Sequence, residues 1–317
     1  MQILFTMLNI LFYTKIMERI IKFWFFKVSR GYSLPMCITN WLVIFCLGIQ
    51  HNGNILFGII ALIGLLFAQM GTNVFDDAID HWLKVPKQQY KSTYLDNGET
   101  NLKTILILAI VYFSIAASIG LFFTIKCGIF VLVLAIIGGL IALIYPKLNN
   151  FALGELAVSL TFGPLMFMGV YYVMCNSINP QAILLSIPAT IFTVAVLMIH
   201  ALMDYDFDKK SGKKTLVLLT GSKQNGLNLI YSLLVFAYIF TGYLIFYKHL
   251  AIYALASLIT IPSLIVLYKK LSQYNNADLH TENDFINNFS YARNIGTIYC
   301  LIITATIILK IFKVPFS

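Results

Sequence analysis

The sequence predicts an all-α membrane protein, a polytopic bundle of about nine transmembrane helices, and three observations carry that prediction. The 317 residues are 59% hydrophobic and 11% charged, with a mean hydropathy of +0.83. Soluble domains carry about 25% charge, and a water-soluble core could not hide so much apolar surface. The apolar residues fall in long runs, each near the roughly 20 residues a helix needs to cross a bilayer. The basic residues are segregated, so that alternate connections hold nearly all of them.

The runs are 34–50, 54–75, 104–125, 127–145, 153–175, 182–203, 226–247, 249–268 and 292–312. They are too long and too uniformly apolar for buried strands. Helices also satisfy their own backbone hydrogen bonds in lipid, which open sheets cannot. Residues 1–30 differ, because Lys15, Arg19, Lys22, Lys27 and Arg30 are interleaved with Phe, Trp and Ile. That pattern predicts an amphipathic helix on the membrane surface, ahead of a transmembrane domain over 31–317. Met1 and Met17 are alternative starts, and no small-residue site suited to signal-peptide cleavage follows.

With the N-terminus inside, 18 of the 22 Lys and Arg residues fall on the inner side, leaving Lys126, Lys248, Lys310 and Lys313 outside. Every carboxylate is also on the inner side. Positive-inside asymmetry therefore makes the long loops 76–103, 204–225 and 269–291 cytoplasmic and puts the chemistry on that face; the expected location is a bacterial cytoplasmic (inner) membrane. The same asymmetry accounts for the net charge of +9 without nucleic acid as a partner. The five cysteines, Cys37, Cys46, Cys127, Cys175 and Cys300, form no metal-ligand spacing and read as small buried hydrophobes.

Two acidic constellations stand out. Asn73, Asp76, Asp77 and Asp80 recur at i, i+3, i+4 and i+7 at the inner end of the second run, one face of a continued helix. His200, Asp204 and Asp208 recur at i, i+4 and i+8 at the inner end of the sixth, with Asp206 pointing elsewhere. Lys209, Lys210, Gly212, Lys213, Lys214 and Thr215 follow at once. Crowded carboxylates repel one another and raise each other's pKa, and a membrane edge aggravates the penalty. A divalent cation resolves the conflict. Mg²⁺ takes oxygen ligands and pairs carboxylates with substrate phosphates, while lysines suit the remaining phosphate oxygens. Acids for a metal, bases for phosphate and a large apolar surround point to a lipid diphosphate.

At these residues the chain resembles the UbiA superfamily of intramembrane aromatic prenyltransferases, and within it the 1,4-dihydroxy-2-naphthoate polyprenyltransferases of MenA type. Asp76-Asp77-Ala78-Ile79-Asp80 is similar to the first family motif, and Asp204-Tyr-Asp-Phe-Asp208 through Gly212-Lys213-Lys214-Thr215-Leu216 to the second. Arg30-Gly31-Tyr32-Ser33-Leu34-Pro35, Gly154-Glu155-Leu156, Phe162-Gly163-Pro164 and Gly169-Val170-Tyr171-Tyr172 resemble further family segments, so the likeness covers about 28–225. The chain departs from the pattern at Asp76, usually Asn, at Lys84, where a later Asp is expected, and at His200, near a usual Asn.

The resemblance implies a central cavity, with Mg²⁺ on Asp76, Asp77, Asp80, Asp204 and Asp208. Its substrates would be a polyprenyl diphosphate and an aromatic acceptor, and the product a menaquinone precursor. Arg30, Asn73, Lys147, Lys209, Lys213 and Lys214 are the candidate diphosphate contacts. Arg30 and Lys147 read equally well as topology anchors. Glu155 orients the acceptor or caps a helix, and His200 is a ligand, a base or a core residue. Phe162-Gly163-Pro164 predicts a kink in the fifth span. Other superfamily acceptors, 4-hydroxybenzoate and homogentisate among them, are a second reading. An ion-coupled transporter is a third, disfavoured because transporters place their carboxylates mid-membrane on broken helices. A CDP-alcohol phosphotransferase would need a DGxxAR-type motif, which is absent.

Overall fold

The computed structural model describes residues 27–86, 93–148, 151–273 and 282–312. All but the last four residues of the expected surface helix over 1–30 lie outside the described residues. Among the described residues there is no strand, and nine spans are long and apolar enough to cross a membrane. They are α1 Gly31–Gln50, α2 Ile55–Trp82, α3 Leu102–Cys127, α4 Ile129–Leu148, α5 Gly154–Cys175, α6 Pro180–Met203, α9 Lys223–Phe246, α10 Ile252–Gln273 and α11 Ile286–Ile311. Two short helices, α7 Tyr205–Ser211 and α8 Leu216–Leu219, lie between α6 and α9.

Polar side chains mark where spans begin. Asn54, Asn101, Asn179 and Ser222 precede α2, α3, α6 and α9, and each accepts a first-turn backbone N–H. A helix start otherwise leaves such donors unpaired, which lipid cannot remedy. The 28 residues of α2 extend about 42 Å at ~1.5 Å each, well beyond a hydrocarbon core of roughly 30 Å. The helix therefore outruns the 54–75 run and carries Asp76, Asp77 and Asp80 on its projecting turns.

The expected kink in α5 is present as a π-helical turn over Thr161–Leu165, with Gly163 at φ −101° and ψ −113°. Pro164 supplies no backbone donor, and the wider turn absorbs the lost bond. A Cβ on Gly163 would stand 2.5 Å from Thr190 Oγ1, so the glycine lets α5 approach α6 closely. The most buried span is α6, which packs on α1, α5, α9 and α11. The main apolar core lies around it, whereas Ile107, Ile110, Leu121, Ile125 and Leu140 of α3 and α4 turn outward, as lipid-facing residues do. A separate small cluster of Val28, Val74, Ala78, Tyr94, Leu95, Ile105, Ala109 and Tyr112 sits at the acidic end of α2.

Candidate active site

A cavity of about 1380 Å³ runs from the acidic ends of α2 and α6 into the apolar interior. Its apolar wall mixes large side chains such as Leu65, Phe123 and Leu132 with small ones, including Ala61, Gly64 and Ala68 of α2, Ala117 and Gly120 of α3, and Gly138 and Gly139 of α4. At its polar end it collects Arg30, Asn73, Asp76, Asp77, Asp80, Glu155, His200, Asp204, Asp208 and Lys213, ten of the residues singled out in the sequence.

The first acidic set forms around Arg30. One guanidinium nitrogen, Nη2, lies 2.9 Å from Asp76 Oδ2 and 2.5 Å from Asp77 Oδ1. Asp76 and Asp77 are 2% and 3% exposed, so the cation answers two buried charges at once. Arg30 sits in the left-handed region at φ 52°, which a non-glycine residue holds only when its surroundings fix it. Those surroundings are identifiable. The Ser33 hydroxyl donates to the Arg30 carbonyl at 2.9 Å and accepts from Gln69 Nε2 at 3.0 Å and Asn73 Nδ2 at 3.3 Å, while Asn73 Nδ2 also donates to the Ser29 carbonyl at 3.0 Å. Arg293, itself buried, donates to the Tyr32 carbonyl at 2.8 Å. Burial alone would lower the Arg30 pKa, but Asp77 and then Asp76 more than reverse this and hold it well above its usual value.

The second set forms where α6 gives way to α7. The helix breaks at Asp204, with φ −94° and ψ 5°, yet Asp204 N reaches the His200 carbonyl at 3.3 Å and Asp208 N reaches that of Asp204 at 2.8 Å. The i, i+4 relation therefore survives the bend. Asp204 and Asp208 remain 4% and 5% exposed, and Asp206 turns away to pair with Lys223, as the spacing requires. His200 Nδ1 is 3.7 Å from Asp204 Oδ2.

The run after Asp208 has a local reason for each residue. Gly212 adopts φ 77° and closes α7 with a left-handed cap. The chain then turns back, with Lys213 N on the Asp208 carbonyl at 3.0 Å and the Lys213 side chain on the cavity wall. The Lys214 carbonyl accepts from Ala152 N at 3.0 Å, and Thr215 caps α8. Glu155 Oε1 accepts Leu216 N at 3.1 Å, so the capping role is realised while Glu155 also lines the cavity. Lys147, Lys209 and Lys214 are exposed and lie off the cavity wall.

Tyr94 is the addition that sequence reading missed. It is 6% exposed, and its hydroxyl lies 3.1 Å from Asp77 Oδ2 and 3.2 Å from the Val28 carbonyl. Burial, reinforced by Asp77, pushes its pKa well up, so it acts as a donor. No periodicity marks a tyrosine in a loop. The clue was only Tyr94-Leu95, an apolar pair in a polar connection.

Among the described residues no three His, Cys, Asp or Glu side chains converge as a ready-made metal set. The donor chemistry nonetheless fits Mg²⁺. The donors are buried carboxylate oxygens from two helix ends on one cavity, and Asp76 Oδ1 is buried with no hydrogen-bond partner. Hard oxygen donors of this kind suit Mg²⁺ and leave its other positions to substrate phosphate and water.

Comparison with known proteins agrees with this geometry. The 1,4-dihydroxy-2-naphthoate octaprenyltransferase of Bacillus subtilis (strain 168) is 27% identical over 168 residues, 51% of this chain and 54% of that protein. The chain thus spans about half the length of that relative. The enzyme of the same name from Haemophilus influenzae is 25% identical over 66% of this chain and 72% of its own length. The structure of a UbiA homolog from Archaeoglobus fulgidus bound to DMAPP and Mg²⁺ matches 89% of this chain and 99% of that chain, with a TM-score of 0.62 at 15% identity, a likeness of fold. Residues 37–289 match the UbiA prenyltransferase family, a stretch that contains both acidic sets and seven whole spans, and the chain belongs to that family.

Proposed function

We propose that this protein transfers a polyprenyl group from an allylic diphosphate to an aromatic acceptor, 1,4-dihydroxy-2-naphthoate, at the cytoplasmic face of a bacterial inner membrane. The observation that carries the reading is the meeting of Arg30, Lys213 and two carboxylate sets, with Asp76, Asp77, Asp204 and Asp208 buried, at the polar end of one large cavity whose interior is mostly apolar. Asp76, Asp77, Asp80, Asp204 and Asp208 would hold Mg²⁺. When bound, Mg²⁺ supplies positive charge that stabilises the departing diphosphate. Arg30, Asn73 and Lys213 face the diphosphate, while Lys147, Lys209 and Lys214, exposed at the same end, draw the anionic donor toward the cavity.

The prenyl chain lies along the apolar wall on α2, α3 and α4. There water is scarce, so the allylic carbon is protected from hydrolysis as its bond to oxygen breaks. The acceptor ring attacks that carbon, and the acceptor carboxylate leaves as carbon dioxide, which restores aromaticity. Glu155 and His200 lie on the acceptor side of this reading. Two relatives named 1,4-dihydroxy-2-naphthoate octaprenyltransferase support the naphthoate acceptor, and one named 4-hydroxybenzoate octaprenyltransferase supports the second reading.

The experiment supplies purified protein with a labelled polyprenyl diphosphate and carboxyl-labelled 1,4-dihydroxy-2-naphthoate. Labelled carbon dioxide is expected to leave in step with prenylation. Transfer to 4-hydroxybenzoate with the carboxylate retained would replace the acceptor and keep the reaction class. No transfer to either would remove the reading.

A further inference from the structure

Among the described residues of the connection between α2 and α3, Tyr94 reaches the first acidic set. Tyr94 and Leu95 are planted in the small cluster with Val74 and Ala78 of α2 and Ile105 and Ala109 of α3. Polar contacts stiffen the same segment. Asp96 Oδ2 accepts from Thr93 N and Thr93 Oγ1, each at 2.9 Å, and Asp96 Oδ1 lies 2.9 Å from His81 Nδ1 near the end of α2. The backbone around Tyr94 is thus fixed to the helix that carries Asp77.

The two oxygens of Asp77 have different partners. Oδ1 meets Arg30 Nη2 at 2.5 Å, and Oδ2 meets the Tyr94 hydroxyl at 3.1 Å. The tyrosine has one proton, and its two acceptors are the Asp77 carboxylate and the Val28 carbonyl at 3.2 Å. The charged acceptor draws that proton more strongly, so the bond to Asp77 is favoured over the alternative one to the Val28 carbonyl. Rotation of the Asp77 carboxylate is thereby opposed, and Oδ1, which takes Arg30 Nη2 on one lone pair, keeps its second lone pair for a cation.

We propose that Tyr94 is a positioning residue for the carboxylate of Asp77, holding Oδ2 so that Oδ1 serves as a one-oxygen ligand to the divalent cation of the prenyl transfer reaction. The inference rests on the reading of Asp77 as a metal ligand. Hydrogen bonds to a ligating carboxylate orient it, and their removal typically lowers metal affinity or activity by about 10- to 100-fold.

The test uses full-length protein in detergent and Mn²⁺ alone as the probe, with free Mn²⁺ read by electron paramagnetic resonance. Tyr94→Phe deletes one oxygen and leaves the ring in its cluster, so its melting temperature should stay near that of the parent. Its Mn²⁺ dissociation constant should rise about 10-fold, and turnover should need correspondingly more Mg²⁺ for half-saturation. Leu95→Ala disturbs the same cluster without touching the hydroxyl and should lower the melting temperature with Mn²⁺ affinity retained. Equal or tighter Mn²⁺ binding by Tyr94→Phe would overturn the proposal while the metal reading stands. Equal weakening by Leu95→Ala would also overturn it, since packing and not the hydroxyl would be responsible. If the parent protein binds no Mn²⁺, the metal reading falls and this proposal falls with it.

Discussion

Arg30 Nη2 stands 2.5 Å from Asp77 Oδ1 and 2.9 Å from Asp76 Oδ2, so one guanidinium balances two carboxylates that are themselves only one residue apart. Two negative charges share a single positive one, and Asp76 keeps one buried oxygen without a partner. The cluster is therefore short of positive charge.

Removing Arg30 should make a divalent cation more important to stability. In Arg30→Met the buried aspartates lose their counter-ion, and breaking a buried ion pair costs about 3–5 kcal/mol before protonation of the carboxylates relieves it. The expected result is a lower melting temperature in EDTA and a larger upward shift on adding Mg²⁺ than the parent shows. Differential scanning fluorimetry in detergent reads both. The same shift in parent and variant would mean that Arg30 is not the cluster's counter-ion.

The aspartates themselves should separate turnover from folding. Asp77→Asn and Asp208→Asn keep side-chain shape and remove the charge that a metal needs. Each should lower prenyl transfer by at least about 100-fold while membrane expression and detergent elution persist. Excess EDTA should abolish the parent's activity, and Mg²⁺ should restore it. Activity that survives chelation would exclude the Mg²⁺ role.

Much of this arrangement was legible in the sequence because it is written in local spacing. Asn73 and the acids Asp76, Asp77 and Asp80 of α2 share one face on the cavity because the helix continues to Trp82, with Asp76 and Asp77 buried. In the Gly212-to-Leu216 run the cap and the return are fixed by residues within a few positions, whereas the tether to Glu155 spans 61 residues. The contacts that were not legible are long-range. Arg30 reaches Asp76 across 46 residues and Tyr94 reaches Val28 across 66, and no periodicity encodes such pairs. Lysines were the least readable. Lys147, Lys209 and Lys213 carry the same charge at the same end, and only packing decides that Lys213 alone of the three lines the cavity.

The charge asymmetry makes a topological prediction. In a background without the five native cysteines, Lys210→Cys and Ser177→Cys place single thiols on exposed residues at opposite ends of α6. An impermeant maleimide should label Ser177→Cys in intact cells and Lys210→Cys only in inverted vesicles. The reverse pattern would place the acidic cavity on the outer face.

Glu155 ties the start of α5 to the second acidic motif, since its Oε1 accepts Leu216 N across 61 residues. Glu155→Gln keeps an oxygen that can accept this bond, whereas Glu155→Ala leaves a buried N–H unpaired, at about 1–3 kcal/mol. The alanine variant should melt several degrees lower and the glutamine variant close to the parent. If activity falls equally in both while only the alanine melts early, the charge of Glu155 serves the cavity as well as the tether. Equal melting of both variants and the parent would show that the tether is dispensable.

The kink of α5 offers a test by paired substitution. At Gly163 an added Cβ would lie 2.5 Å from Thr190 Oγ1, closer than such atoms approach, and the neighbouring wall belongs to α6, the most buried span. Gly163→Ala should therefore destabilise by about 1–3 kcal/mol, the range for overpacking a filled interior. Thr190 Oγ1 has no hydrogen-bond partner, so Thr190→Ala removes a buried polar atom that contributes little and should be nearly neutral alone. Combining the two opens the space that the new methyl needs. The double variant should recover most of the lost stability, a departure from additivity that marks direct contact between the two sites. Strict additivity of the two melting shifts would show that α5 and α6 do not meet at Gly163 and Thr190, and the glycine would then need another explanation.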